Sequence, residues 1–297
     1  MPHTVLPWPD SLAVWHRAGG AFSYQGHDIF VRSGGEPGAP VLLLIHGFPT
    51  ASWDFAPVWA GLTARWRVLT LDMLGFGFSA KPRHHAYSIA DQANLVEAFL
   101  RSEAVTDYHV LAHDYGDTVA QELLARDSAE PRLRSVCLLN GGIFPEAHRP
   151  LLIQRLLSSP AGPVVARLSS RTSFAISMRR IFARERAPTR TELDGFWTLV
   201  THGNGRAVLA PVSRYRHERL RYRSRWVGAL QAAAVPLRFI VGTADPIAGA
   251  ATAARYRQLV PRPDVVELAG VGHYPQLEAP EHVLAAYAEF RATGGFP

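Results

Sequence analysis

Six short apolar stretches, each leading to a polar residue, fix most of what this chain can become. In order they are VLLLI before His46, RVLTL before Asp72, YHVLAH before Asp114, SVCLL before Asn140, LRFIVG leading to Asp245 and DVVELAG leading to His273. They have the length of strands, and they are too continuously apolar to leave one face in water. Helical patterns lie between them, including IADQANLVEAFLRS, with Ser88 placed to cap it, and GDTVAQELLARD. Such alternation predicts an α/β protein whose mostly parallel, doubly wound sheet has helices on both faces. An open sheet of this kind collects its functional groups at the C-terminal ends of its strands. The polar residues just named stand there.

At the start of the chain, residues 21–45 read as two strands, FSYQGHDIFVR and VLLLIHG, the second opening this series; the turn-rich SGGEPGAP separates them, and a helix-like stretch follows at 54–65. The alternation stops over residues 143–230, which carry helical patterns and no clear buried strand, and then resumes. Residues 1–142 and 231–297 are therefore expected to form one α/β core, and residues 143–230 an inserted helical cap.

The most informative joint is VLAHDYGDTVAQELL, a strand, a tight turn and a helix, with Asp114 at the turn. Ala112 and Gly116, two residues to either side, are small enough for strand and helix to approach closely. Asp114 has two readings: an ordinary helix cap, or a nucleophile on an elbow. Asp245 in TADP reads as a turn residue or an acid, and His273 in GVGHYP as a loop histidine or a base. Asp72 reads as a structural acid. Taken together, Asp114, Asp245 and His273 follow the nucleophile–acid–histidine order of the α/β-hydrolase fold. Aspartate in place of serine suits attack on an sp³ carbon bearing a leaving group, because the carboxylate is already ionised near neutral pH. His273 would then activate water against the resulting ester, with Asp245 orienting it. The backbone N–H groups of Phe48, in HGFP, and Tyr115 are placed to donate to the oxyanion of that step.

About half of the residues are hydrophobic, enough for a packed core. The formal charge is +6, with Lys81 the only lysine, and arginine crowds residues 149–225, notably RYRHERLRYRSR. That basic run suits a nucleic-acid groove, an anionic membrane surface or a solvated face with local acidic partners. It also motivates a non-enzymatic alternative, a partner-binding scaffold acting through the cap. Nucleic-acid binding is not expected. Cys137, the only cysteine, sits in an apolar run and is expected in the core. MPHTVLPWPD has no apolar stretch of signal-peptide length and no run is long enough to span a membrane, so a soluble cytoplasmic protein is expected. No zinc-ligand spacing or P-loop is present, and neither metal nor organic cofactor is expected.

At HGFPTASW, LDMLGFGFSAKP, HDYGDTVAQ, GTADP and GHYPQLEAP the chain resembles the α/β-hydrolase branch of epoxide hydrolases and haloalkane dehalogenases. Through LLNGGIFPEAHRP and RSRWVGAL it is similar, within that branch, to the mesoderm-specific transcript proteins. The resemblance implies a nucleophile at Asp114, a base at His273, an acid at Asp245 and oxyanion donors at Phe48 and Tyr115. Epoxide hydrolases add cap tyrosines that protonate the leaving oxygen, and Tyr215 stands where the family places one. A second, earlier tyrosine is missing, since residues 143–214 contain none. Dehalogenases typically carry tryptophan after the nucleophile and often asparagine after HG; Tyr115 and Phe48 stand there, leaving Trp197 as one indole donor. The expected substrate is a small, largely apolar epoxide in a pocket lined by Phe48, Trp53, Phe144 and Trp197, with a haloalkane, or the ester or C–C bond of another α/β hydrolase, as the alternative. The oligomeric state is left open.

Overall fold

In the computed structural model, which describes residues 10–127 and 131–293, the apolar stretches become the strands of one sheet. The strands are β1 (Gly20–Tyr24), β2 (His27–Gly34), β3 (Val41–Ile45), β4 (Arg67–Leu71), β5 (Tyr108–His113), β6 (Leu133–Leu139), β7 (Leu237–Gly242) and β8 (Val265–Leu268). Their spatial order is β1-β2-β4-β3-β5-β6-β7-β8. β2 runs antiparallel to β1 and β4, and every pairing from β4 through β3 to β8 is parallel. The expected α/β-hydrolase architecture is the one observed.

Successive residues of β3 serve opposite faces, as a pleated strand requires. Leu42 and Leu44 join Val58, Leu62 and Tyr287 beneath the helices Ala56–Thr63 and Pro280–Thr293. Leu43 and Ile45 join Leu95, Val119 and Tyr256 beneath Ile89–Ser102, Tyr115–Arg126 and Ala250–Leu259. All six residues of β5 are buried, so the strand that presents Asp114 is held on every side. Ser88 caps its helix as the sequence suggests, its hydroxyl accepting the Asp91 N–H at 3.1 Å.

One reading of the sequence is corrected. FSYQGHDIFVR is not a single strand but the hairpin β1–β2, reversing at Gln25 and Gly26 with φ of 50° and 78°. Two central residues with positive φ match the right-handed twist of the paired strands. Gln-Gly lacks the usual Asn or Asp that announces such a turn.

Every regular element between β6 and β7 among the described residues is a helix, from Leu152–Leu157 to Arg223–Gln231. A reciprocal box of Thr189 and Glu192 starts the helix Arg190–Thr201. The final helix packs on Tyr115–Arg126, where Trp226 Nε1 and Arg225 both donate to Glu122 at 2.8 Å. Other arginines, within that run and beyond it, find local partners in the same way. Arg223 and Arg255 share Glu146, and Arg216 donates to the Gln154 carbonyl oxygen. Among the described residues no helix is long and apolar enough to cross a membrane. MPHTVLPWPD lies outside the described residues except for Asp10.

Candidate active site

β5 ends at His113, and the chain turns into the helix Tyr115–Arg126 through one residue, Asp114, with φ 47° and ψ −101°. An L-residue other than glycine rarely adopts a positive φ, and such strain persists only where the surroundings hold it. Asp114 makes no side-chain bond to the helix it precedes, so it does not serve as its side-chain cap. Its N–H is fixed instead to the Leu139 carbonyl oxygen of β6 at 3.1 Å. The elbow is tight: a Cβ on Gly116 would press into the Ile45 carbonyl oxygen, and one on Gly47 would lie 3.1 Å from Asp114 Cβ.

Because its own helix does not use it, the Asp114 carboxylate is free to take other partners. The Phe48 N–H donates to Oδ2 at 3.3 Å. From the inserted segment, Arg219 Nη2 approaches Oδ1 at 3.4 Å and donates to the Asp114 carbonyl oxygen at 2.8 Å. Arg219 is itself held by Nε donating to the Thr118 hydroxyl at 2.8 Å. Burial alone would raise the Asp114 pKa, but Arg219, with His273, His113 and His148, outweighs it and holds the carboxyl below its usual range.

At the ends of β6, β7 and β8 a second group assembles. His273 Nδ1 lies 2.8 Å from Asp245 Oδ2. Asp245 is bracketed by the Ile247 N–H on Oδ1 at 2.8 Å and Asn140 Nδ2 on Oδ2 at 2.9 Å. Asn140 has φ 41° and also clasps Gly242, accepting its N–H at 2.7 Å. Burial depresses the His273 imidazole, but the Asp245 carboxylate, joined by Asp114 and Glu278, overrides it and pushes the pKa up to about 9. The structure thus draws Asp114, Asp245, His273, Phe48 and Tyr115 to one edge of the sheet.

Tyr215 joins them from above. Its ring is buried edge-on to Tyr115, with centroids 4.7 Å apart, and near Phe48 at 5.9 Å. The Arg219 guanidinium lies 4.6 Å from the Tyr215 ring centre. The Tyr215 hydroxyl makes no well-formed hydrogen bond, and burial with Asp114 nearby raises its pKa, so it keeps its proton. His148 Nε2 and Arg219 Nη1, both close to Gly142, are also buried without partners.

An apolar cavity of about 90 Å³ extends from Phe48, Pro49 and His273 into the insertion, past Leu157, Phe174 and Trp197. Trp53 and Phe144, expected from the sequence to line such a pocket, are not among its lining residues. Trp53 packs on Phe196, with its Nε1 unpartnered, and Phe144 packs on Tyr256 within the core. Asp72 ties two loops, accepting the Ser52 N–H at 2.8 Å and the Phe78 N–H at 2.7 Å. Among the described residues no cluster of three or more His, Cys, Asp or Glu side chains is arranged to hold a metal ion. Sequence reasoning missed Arg219. Its signal was the spacing Tyr215-x-x-x-Arg219, which puts both side chains on one helical face.

The family model for the alpha/beta hydrolase fold matches residues 40–280, and the chain belongs to that family. Among individual relatives it is 43% identical to the mesoderm-specific transcript protein of Mus musculus over 94% of this chain and 88% of that protein. It is 28% identical to haloalkane dehalogenase 2 of Mycobacterium bovis, over 84% of this chain and 87% of the relative. The structure of epoxide hydrolase CorEH superposes with a TM-score of 0.77 at 14% identity, covering 92% and 98% of the two chains, a likeness of fold alone. The protein is an α/β hydrolase.

Proposed function

We propose that this hydrolase works through a covalent alkyl ester on Asp114 and opens epoxides to vicinal diols. The observation that carries the reading is the elbow carboxylate, held at positive φ, released from capping duty and kept ionised by Arg219. A carboxylate oxygen of Asp114 attacks a ring carbon, the ring C–O bond breaks, and the departing oxygen takes the Tyr215 proton. Water then attacks the carboxyl carbon of the ester while His273 accepts its proton. The Phe48 and Tyr115 N–H groups receive the oxyanion, the acyl C–O bond breaks as the leaving alkoxide takes the proton held by His273, and the diol leaves. The proton on the regenerated Asp114 carboxyl returns to the Tyr215 oxygen. Alkylation removes the negative charge of Asp114, one of the influences that holds His273 protonated. The imidazole therefore loses its proton more readily, and its lone pair is available at the step that needs it.

The test uses His273→Gln with a panel of epoxides and haloalkanes, followed by intact-mass measurement and peptide mapping. The expected product is a stable adduct on Asp114 from an epoxide. Full turnover by Asp114→Ala would rule out the covalent step, and unchanged epoxide opening by Tyr215→Phe would remove Tyr215 from it. A haloalkane adduct in place of an epoxide adduct would favour dehalogenation. Trp197 in the cavity wall and the dehalogenase relative support that second reading.

A further inference from the structure

The first half of the insertion differs from the rest of the molecule in charge and in what it exposes. Residues 147–190 contain nine arginines and a single acidic residue, Glu185, while the whole chain sums to only +6. This segment therefore carries a net +8 and, even though RYRHERLRYRSR is a second arginine cluster, the remainder of the protein sums to −2. Over the same stretch, apolar side chains stand in water. Leu152 is 69% exposed, Val164 61%, Leu168 76% and Ile176 49%. Single exposed apolar residues are ordinary, but these recur at helical spacing. Leu152 and Leu156 lie one turn apart on Leu152–Leu157, as do Val164 and Leu168 on Gly162–Leu168. Those two helices pack on one another, and only Ser169 and Ser170 separate the second from Arg171–Arg179, which carries Ile176.

Exposed arginines adjoin the apolar positions: Arg155 beside Leu156, Arg167 beside Leu168, and Arg179 and Arg180 at the end of the helix bearing Ile176. Guanidinium groups on long apolar stems around protruding leucines match the boundary of an anionic bilayer, where phosphate meets acyl chain. A nucleic-acid surface would use the arginines and gain nothing from the leucines. The helices Leu152–Leu157 and Arg171–Arg179 also wall the apolar cavity, through Ile153, Leu157, Phe174 and Ser177. A bilayer on this face would meet the elements that hold an apolar ligand. We propose that residues 147–190 form a docking surface for anionic lipid membranes, independent of which electrophile the site consumes.

The experiment is flotation of the full chain with vesicles of phosphatidylglycerol and phosphatidylcholine, and with phosphatidylcholine alone. The wild type is expected to float with the anionic vesicles, and to do so less as salt is raised. Leu152→Ser with Leu168→Ser should weaken binding by about tenfold or more. Arg155→Gln with Arg179→Gln should also weaken it by about tenfold. Circular dichroism melts, unchanged because all four sites are exposed, exclude misfolding. Three results would overturn the proposal. One is no flotation of the wild type on anionic vesicles. Another is a leucine variant that floats as well as wild type while the arginine variant loses affinity for duplex nucleic acid. The third is a dimer in sedimentation velocity that the leucine variant dissolves.

Discussion

Arg219 reaches from the insertion to both ends of Asp114, with Nη2 2.8 Å from its carbonyl oxygen and 3.4 Å from its carboxylate Oδ1. The contact joins the inserted segment to the strained elbow, and it balances a carboxylate that is otherwise buried.

Removing that charge has two consequences. Breaking a buried pair leaves the other charge uncompensated, so Arg219→Gln should cost about 3 kcal/mol in denaturant unfolding. The Asp114 pKa should also rise, because the largest influence opposing burial is gone. In the wild type, adduct formation should stay fast into mildly acidic solution. In Arg219→Gln its acid limb should move to higher pH. Stopped-flow alkylation across pH reads this directly, and an unmoved limb would mean that Arg219 only braces the fold.

The two half-reactions should titrate in different pH ranges. His273, raised to about 9 beside Asp245, is a cation at neutral pH in the resting enzyme. Alkylation does not need its lone pair, so that step should proceed well below pH 9. Hydrolysis does need it, and should accelerate as pH rises through a value lower than about 9, because the ester has removed the charge of Asp114. The same raised pKa implies that the His273–Asp245 bond stabilises the fold below the unfolded imidazole pKa near 6.5, and that this contribution disappears as pH climbs through 9. Single-turnover rates and thermal melts across pH test the two statements separately.

The sheet was legible because β3 to β7 carry continuous apolar runs whose register follows from burial on both faces. Asp114, Asp245 and His273 were legible as candidates because each lies just past a strand. What stayed hidden depends on approach in space. Arg219 is remote in sequence from Asp114, and only the fold of the insertion brings them together. Trp53 and Phe144 looked like pocket residues because they are aromatic and near the loops, but Phe196 and Tyr256 take them into packed clusters. The β1–β2 hairpin was obscured by a glutamine where the turn chemistry usually shows asparagine or aspartate.

Asp117 gives a contrast with Asp114 one helical turn away. It is buried, its Oδ2 has no partner, and burial with the neighbouring Asp114 charge pushes its pKa well above the ordinary value. A carboxyl pushed toward its neutral form is closely matched by an amide. Asp117→Asn should therefore keep adduct formation within about threefold of wild type and leave stability within about 1 kcal/mol. Asp114→Asn should abolish the adduct. Equal losses from both variants would show that Asp117 is charged in the working enzyme.

Two glycines separate the demands of the elbow from those of an ordinary helix. At Gly116 an added Cβ would press into the Ile45 carbonyl oxygen and lie 2.8 Å from that of His46, and neither backbone atom can move without displacing β3. Gly116→Ala should cost about 2 kcal/mol or more from overpacking and should slow alkylation by shifting Asp114. Gly228, inside the helix Arg223–Gln231, has nothing within 4 Å of an added Cβ. Gly228→Ala should instead stabilise by about 0.5–1 kcal/mol through the smaller entropy of the unfolded chain, with unchanged kinetics. Chemical denaturation of the two variants, paired with adduct rates, tests both signs. A Gly116→Ala protein with wild-type stability and rate would show that strand and helix are further apart at the elbow than 2.8 Å allows.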